Sequence, residues 1–311
     1  MSEITAARIT NLHERIKLIL GNGAGENGYG QSIASASVTS LNDTISASDI
    51  NNIYADMIKA RIHQVGPGDV RIAEIIQNLN VIAEQTSFFV NDDGVTTVDP
   101  EGDLKGISDF ENLMSDIEVD KFVIHPSEGG LELAIQDRLT SSWNGLRFQE
   151  LSVTFNDKDH RRHFFNTGGE IRFSASNNNA STPKGLDWAE LCTEIGIVSF
   201  NHSATTSTGD GSGTNIGNYG LTSEYQTIYQ KVGAGTYSGI YAGNLYTLKA
   251  RFDALNPNVI LFRVEFNDVV IDNNIDNNVD GRLESTVQEF RADSDSVSVE
   301  APSYFNESTL S

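Results

Sequence analysis

The apolar residues of this chain change their period along its length. Near the start, Ile9, Leu12, Ile16 and Ile19 recur at alternating spacings of three and four, the stripe of an amphipathic helix. Further on, Leu151, Val153 and Phe155 alternate with Ser152 and Thr154, the period-two pattern of a half-buried strand. A helical period first and a strand period later define an α+β chain. Its 311 residues suffice for about two domains. The expectation is a mainly helical region over residues 1–146, with a small hairpin, and an antiparallel β-sandwich or jelly-roll-like domain over residues 147–311.

Within the helical part, Ile50, Ile53, Tyr54, Met57, Ile58 and Ile62 form a second stripe. Ser46 and Asp49 stand at capping-box spacing before it, and Gly66-Pro67-Gly68 ends it. Ile72, Ile75, Ile76, Leu79 and Ile82 form a third. At about 1.5–3 kcal/mol per buried large aliphatic side chain, these stripes are the main stabilising element of this half. The first stripe is too short for a coiled coil, so it must bury on this chain or on a sister subunit. It lies at a terminus, where helices fray unless docked, and the glycine-rich run Gly21–Gly30 would let it swing. Ile9, Leu12, Ile16 and Ile19 are therefore expected at a subunit interface.

Phe88–Val90 and Val95–Val98, joined through Asp93-Gly94, read as a β-hairpin. Asp99, Glu101, Asp103, Asp109, Glu111, Asp116, Glu118 and Asp120 follow, with only Lys105 among them. They read as a solvated surface, or more sharply as a contact for a basic partner.

The run from His160 to Phe173 looks catalytic, with paired histidines, arginines and glycines. The turn-formers Asn156–Asp159 before it, and Asn166–Gly169 within it, make it the turns and strands of a hairpin. In a strand, residues three apart face opposite ways, so His160 and His163 would not share a metal. Pro183–Gly196 reads as a short helix, residues 201–220 as a long polar loop, mobile or held by a partner. Tyr246–Phe252, Val259–Phe266 and Leu283–Phe290 read as strands.

Gly23–Gly28 spells G-x-G-x-x-G, with Asp43 beyond it. A dinucleotide loop needs a strand before it and a helix after it, and here a helix precedes. Asp276, Asn278 and Asp280, with Gly281 for the turn, match the first half of a calcium loop, but its twelfth position is Val287. The reading is an acidic hairpin loop with weak calcium binding at most, and no cofactor is expected. His13, His63, His125 and His202 lack metal spacing and read as surface or interface residues. The single cysteine, Cys192, excludes an intrachain disulfide and reads as a buried thiol. A net charge of −22 opposes binding to nucleic acid or to anionic membrane. No apolar run is long enough for a transmembrane helix. Met1-Ser2-Glu3-Ile4 lacks the features of a signal peptide.

Several stretches resemble the virion structural proteins of tailed bacteriophages, especially contractile-tailed phages of marine cyanobacteria. They are Leu18–Gly25 with Gly28–Gln31, Ala60–Gln64, His160–Phe173, Gly217–Leu221 with Tyr225–Ile228, Gly281–Leu283 and Val297–Tyr304. The resemblance implies a non-enzymatic component of the neck, tail or its appendages, located in the virion. It implies no cofactor and no catalytic residues. Together with the first stripe, it implies a symmetric homo-oligomer, three- or six-fold, bound to other virion proteins. Two other classes remain open. A host-glycan-binding adhesin or fibre protein would use loop aromatics such as Tyr219, Tyr237 and Tyr241. A glycan-cleaving tail enzyme would need an acidic cleft.

Overall fold

The computed structural model describes residues 5–37, 47–67, 88–90, 96–98, 107–270 and 278–310. The fold is α+β, a helical N-terminal region followed by a β-sandwich-like pair of antiparallel sheets. The chain divides into two compact units. The first comprises Met1–Gly130, Arg162–Gly168 and Arg291–Val299, and the second Leu131–Arg161, Gly169–Phe290 and Glu300–Ser311. The division thus falls at Gly130–Leu131 rather than at 146, and two later segments belong to the first unit. The third apolar stripe, the capping residue Ser46, the Asp93-Gly94 turn and Asp276 lie outside the described residues.

The first unit is built on α1 (Ala6–Leu20), α2 (Ala47–Val65) and α3 (Ile107–Val119). Thr5 caps α1 by accepting a hydrogen bond from the Arg8 amide. Ile9, Leu12, Ile16 and Ile19 are buried inside this chain, none more than 3% exposed. This corrects the expectation of a subunit interface: α1 docks against α2 and α3 of its own unit. The covering helix was hidden by its acids. Ile107, Phe110, Leu113, Met114 and Ile117 make a buried helical stripe within the stretch read as solvated surface.

Two of those acids do meet basic partners, but on α1. Arg8 grips Glu111 with bonds of 2.8 and 2.7 Å, and Arg15 grips Glu118 at the same distances. Both pairs are bidentate, the stronger kind of ion pair. Their seven-residue spacing ascends on both helices, so α1 and α3 run parallel. β1 (Phe88–Val90) and β2 (Thr96–Val98) pair antiparallel, Phe88 opposite Val98, as expected of the hairpin.

The second unit holds both large sheets. One has the order β13-β4-β11-β10-β9-β8, with β4 Gly145–Thr154, β8 Ser212–Gly213, β9 Gln226–Val232, β10 Leu245–Phe252, β11 Val259–Asp268 and β13 Ser303–Ser308. The other has the order β3-β12-β5-β6-β7, with β3 Gly129–Leu139, β5 Glu170–Asn178, β6 Val198–Phe200, β7 Thr205–Ser207 and β12 Arg282–Ala292. The sheets meet through aromatic contacts. Phe262 of β11 lies 5.0 Å from Phe173 of β5 and 5.2 Å from Phe200 of β6, ring centre to ring centre.

The hairpin expected around His160 does not form. α4 (Lys158–Asn166) stands there, and β4 and β5 on either side enter different sheets. The turn-formers before it are a helix cap: Asp157 accepts from the His160 amide at 2.7 Å. Caps and turns use the same residue types. Adjacent Phe164 and Phe165 are both fully buried, which strand alternation does not predict.

The polar stretch 201–220 is also ordered, with β7, β8 and a short 3-10 turn. Thr205 and Thr214 exchange backbone bonds, and the Asn218 amide bonds Asn201 O. Its polar side chains hold its own backbone where apolar ones are lacking. α5 (Pro183–Ile195) forms as expected, capped by Thr182. Among the described residues, no helix is long and apolar enough to cross a membrane.

Candidate functional site

The two stretches that most looked like chemistry meet in the first unit. The loop after α1 turns through Gly23, Gly25, Gly28 and Gly30, all at positive φ. Four of its carbonyl groups accept from the end of α4. Arg162 donates to Asn22 O at 2.6 Å and also to Asn27 O. His163 Nε2 donates to Asn22 O at 3.1 Å. Asn166 donates to the carbonyls of Gly25 and Gly28. The approach is close: a Cβ on Gly30 would lie 2.4 Å from His163 Nδ1. The G-x-G-x-x-G loop thus presents carbonyl acceptors to side chains, the reverse of a phosphate cradle, which presents N–H donors. His160 faces elsewhere, with Nε2 on Glu300 O at 2.7 Å.

His63 extends this network. It is fully buried, and its Nε2 donates to Thr167 O at 2.8 Å. Next to it, Gln64 donates to Ile117 O and to the Tyr29 hydroxyl, which itself donates to Lys121 O. Gln31 donates to Ser298 O at 2.8 Å. Burial pushes the His63 imidazole down to about 4 from 6.5, against the opposing effect of its bond to Thr167. The folded unit therefore binds fewer protons than the unfolded chain between those two values. Stability present above pH 6.5 should be lost as pH falls toward 4, a loss on the order of 3 kcal/mol. Urea midpoints across this range will show it, and His63→Gln should flatten the slope relative to the wild type.

His13 is buried too, with Nδ1 3.0 Å from Ser35 Oγ and Nε2 3.6 Å from Glu14. Both histidines are thus buried within the chain rather than surface or interface residues. The arrangement resembles a serine–histidine–acid relay, but Ser35 is buried, and its amide and that of Ala34 bond Asp56. Both amides are thus committed to a carboxylate rather than open to an oxyanion.

A cleft of about 670 Å³ opens in the first unit. Ile58 and Ile62 of α2 form its apolar wall, and Glu128, Asp293 and Asp295 face Lys59 around it. Ser296 donates to Glu128 at 2.5 Å and Ser127 at 3.4 Å. Burial alone would raise the Glu128 carboxyl, but these hydroxyls and that of Ser294 hold it below its ordinary value. The cleft can take an aliphatic segment with a cationic group.

The calcium candidate resolves differently. Asp280 braces the residue that caps α5 in the second unit, accepting from the amides and hydroxyls of Ser181 and Thr182 at 2.6–3.2 Å. Desolvation would raise its carboxyl, but these bonds outweigh it, and its pKa is lowered. The backbone is tight here, since a Cβ on Gly185 would lie 2.0 Å from Asp280 Oδ1. Asn278 is exposed. Among the described residues, no group of three metal-binding side chains forms. Because Asp280 is committed to Ser181 and Thr182, calcium or a chelator should leave the melting temperature within about 5 °C. Asp280→Asn should cost about 1–3 kcal/mol through its weakened hydrogen bonds to Ser181 and Thr182. That cost should vanish in acid, because a depressed carboxyl stabilises only while ionised. Thermal melts with and without calcium, and at two pH values, check both.

Of the loop aromatics, Tyr237 is 64% and Tyr219 37% exposed, but Tyr241 is buried at 1% and not available to a ligand. Cys192 is a buried thiol, pushed up to about 12 by desolvation. Compared with family models, curated proteins and solved structures, this chain matches none.

Proposed function

We propose that this chain is a non-enzymatic structural component of a tailed-phage virion, in the neck, tail or appendages, working as a symmetric homo-oligomer of three or six copies. One observation supports the reading. Four of the stretches that resemble phage structural proteins come together in the first unit. The glycine loop, the end of α2, the end of α4 and Val297–Val299 bond one another through Arg162, His163, His63, Gln64 and Gln31. Their histidines and arginines act as donors to carbonyl oxygens. Residues that keep a framework rigid are what a building part needs. In this reading the acidic cleft takes a basic side chain of a neighbouring particle protein.

The test is immunogold labelling of purified particles with an antibody against this protein. Labelling at a fixed site on the tail or neck is expected, and a protein missing from purified particles overturns the reading. Incubation with host polysaccharide separates the alternatives. Retention without shortening points to an adhesin, and shorter fragments to a glycan-cleaving enzyme.

A further inference from the structure

Among the described residues, the longest outer strand of the sandwich is β3. Of the four outer strands of the two large sheets, β7 has three residues and β8 has two, too short to template another strand. β13 has six, and β3 has eleven. Exposed edges are blunted by brevity, proline, charge or inward-pointing acids; β3 has no proline or lysine, and its charged residues are Glu132, Arg138 and the buried Asp137. It carries Leu131 and Leu133 at 53% and 61% exposure.

We propose that the occupant of this edge is β3 of a second copy, paired antiparallel about a two-fold axis at Ile135. The sequence Leu131-Glu132-Leu133-Ala134-Ile135-Gln136-Asp137-Arg138-Leu139 is self-complementary in that register. Glu132 falls opposite Arg138 of the other copy, Leu131 opposite Leu139, and Ile135 opposite itself. Glu132 and Arg138 are both exposed. A slip of one residue would set Glu132 against the other copy's Asp137 and lose both charge pairs. Asp137, opposite Leu133, is already occupied, accepting from the Leu310 amide at 2.6 Å. The pairing would join two five-stranded sheets into one of ten. Such a contact is isologous, and with a three-fold axis elsewhere it builds a six-membered assembly. It follows from the edge itself and holds whether or not the chain belongs to a virion.

Sedimentation of the full chain at physiological salt, where the Debye length is about 8 Å and the like net charges are screened, should show concentration-dependent self-association, with a dimer as the unit that this contact forms. Glu132→Arg and Arg138→Glu each turn two attractive cross-strand pairs repulsive, and each should weaken the dimer about tenfold or more. Mixed one to one, these two variants are complementary at both pairs, so the mixture should regain wild-type affinity. Arg138 also lies 3.0 Å from Glu284, so a variant with an intact charge pattern provides a second arm. Ile135→Cys should cross-link to itself under mild oxidation, and Leu139→Cys, off the axis, should not. A wild-type monomer at every concentration, a mixture no tighter than its parts, or equal cross-linking at both positions overturns the proposal.

Discussion

Ile16→Asp is expected to unfold the first unit, with loss of α1–α3 helicity by circular dichroism and a destabilisation of at least about 4 kcal/mol. Ile16 has no exposed surface, and its neighbours Ile9, Leu12 and Ile19 are equally enclosed. The substitution removes a buried aliphatic group and puts a carboxylate in its place. Loss of the aliphatic contacts alone costs about 2–5 kcal/mol when such a residue becomes alanine. The charge finds no partner inside the stripe. If Ile16 instead served a subunit contact, the variant would stay folded and merely dissociate. Circular dichroism together with sedimentation distinguishes the two outcomes, and a folded monomeric variant would contradict the burial described above.

The second large effect lies in the other unit. Lys184 of α5 and Asp268 of β11 form an ion pair with no exposed side-chain surface, Nζ 2.6 Å from Oδ2. Lys184 also donates to Val270 O at 2.9 Å and lies 5.4 Å from the Tyr241 ring centre. Burial raises the Asp268 carboxyl, and Lys184 opposes that rise. Lys184→Met keeps the stem but removes the carboxylate's counter-charge, which should cost about 3–5 kcal/mol. Adding Asp268→Asn should recover most of the loss, because the uncompensated charge is gone. The acid dependence has a definite sign. A carboxyl with a raised folded pKa favours the fold below its unfolded value and loses that contribution as pH rises. In Lys184→Met the carboxyl rises further, so the penalty should shrink as pH falls. Chemical denaturation of the single and double variants at two pH values checks both statements.

Elements defined by a local period were legible in the sequence. The stripes of α1 and α2, the alternation in β10–β12 and the Pro183 start of α5 all declare themselves within a dozen residues. Other features depend on distant partners. Asn156–Asp159 has the composition of a turn, and only burial of both Phe164 and Phe165 shows that a helix follows. The acids of α3 read as surface because Arg8 and Arg15, which bind two of them, stand 103 residues earlier. The glycine loop and the end of α4 are joined across 135–141 residues, so neither motif alone reveals that one serves the other. Asp280 likewise has the spacing of a metal ligand, and its role in bracing the start of α5 depends on Ser181 and Thr182 far upstream.

The first unit draws on Arg162–Gly168 and Arg291–Val299 as well as its N-terminal residues. During synthesis, which adds residues at about 5–20 per second, α1 and α2 leave the ribosome long before those segments exist. The carbonyls of the glycine loop and Thr167 O must wait for their partners, and Gln31 waits longest, for Ser298. This unit therefore cannot be completed until Arg291–Val299 has been made. An expressed fragment ending at Gly130 would keep the helices but lack the pieces that close the unit around them.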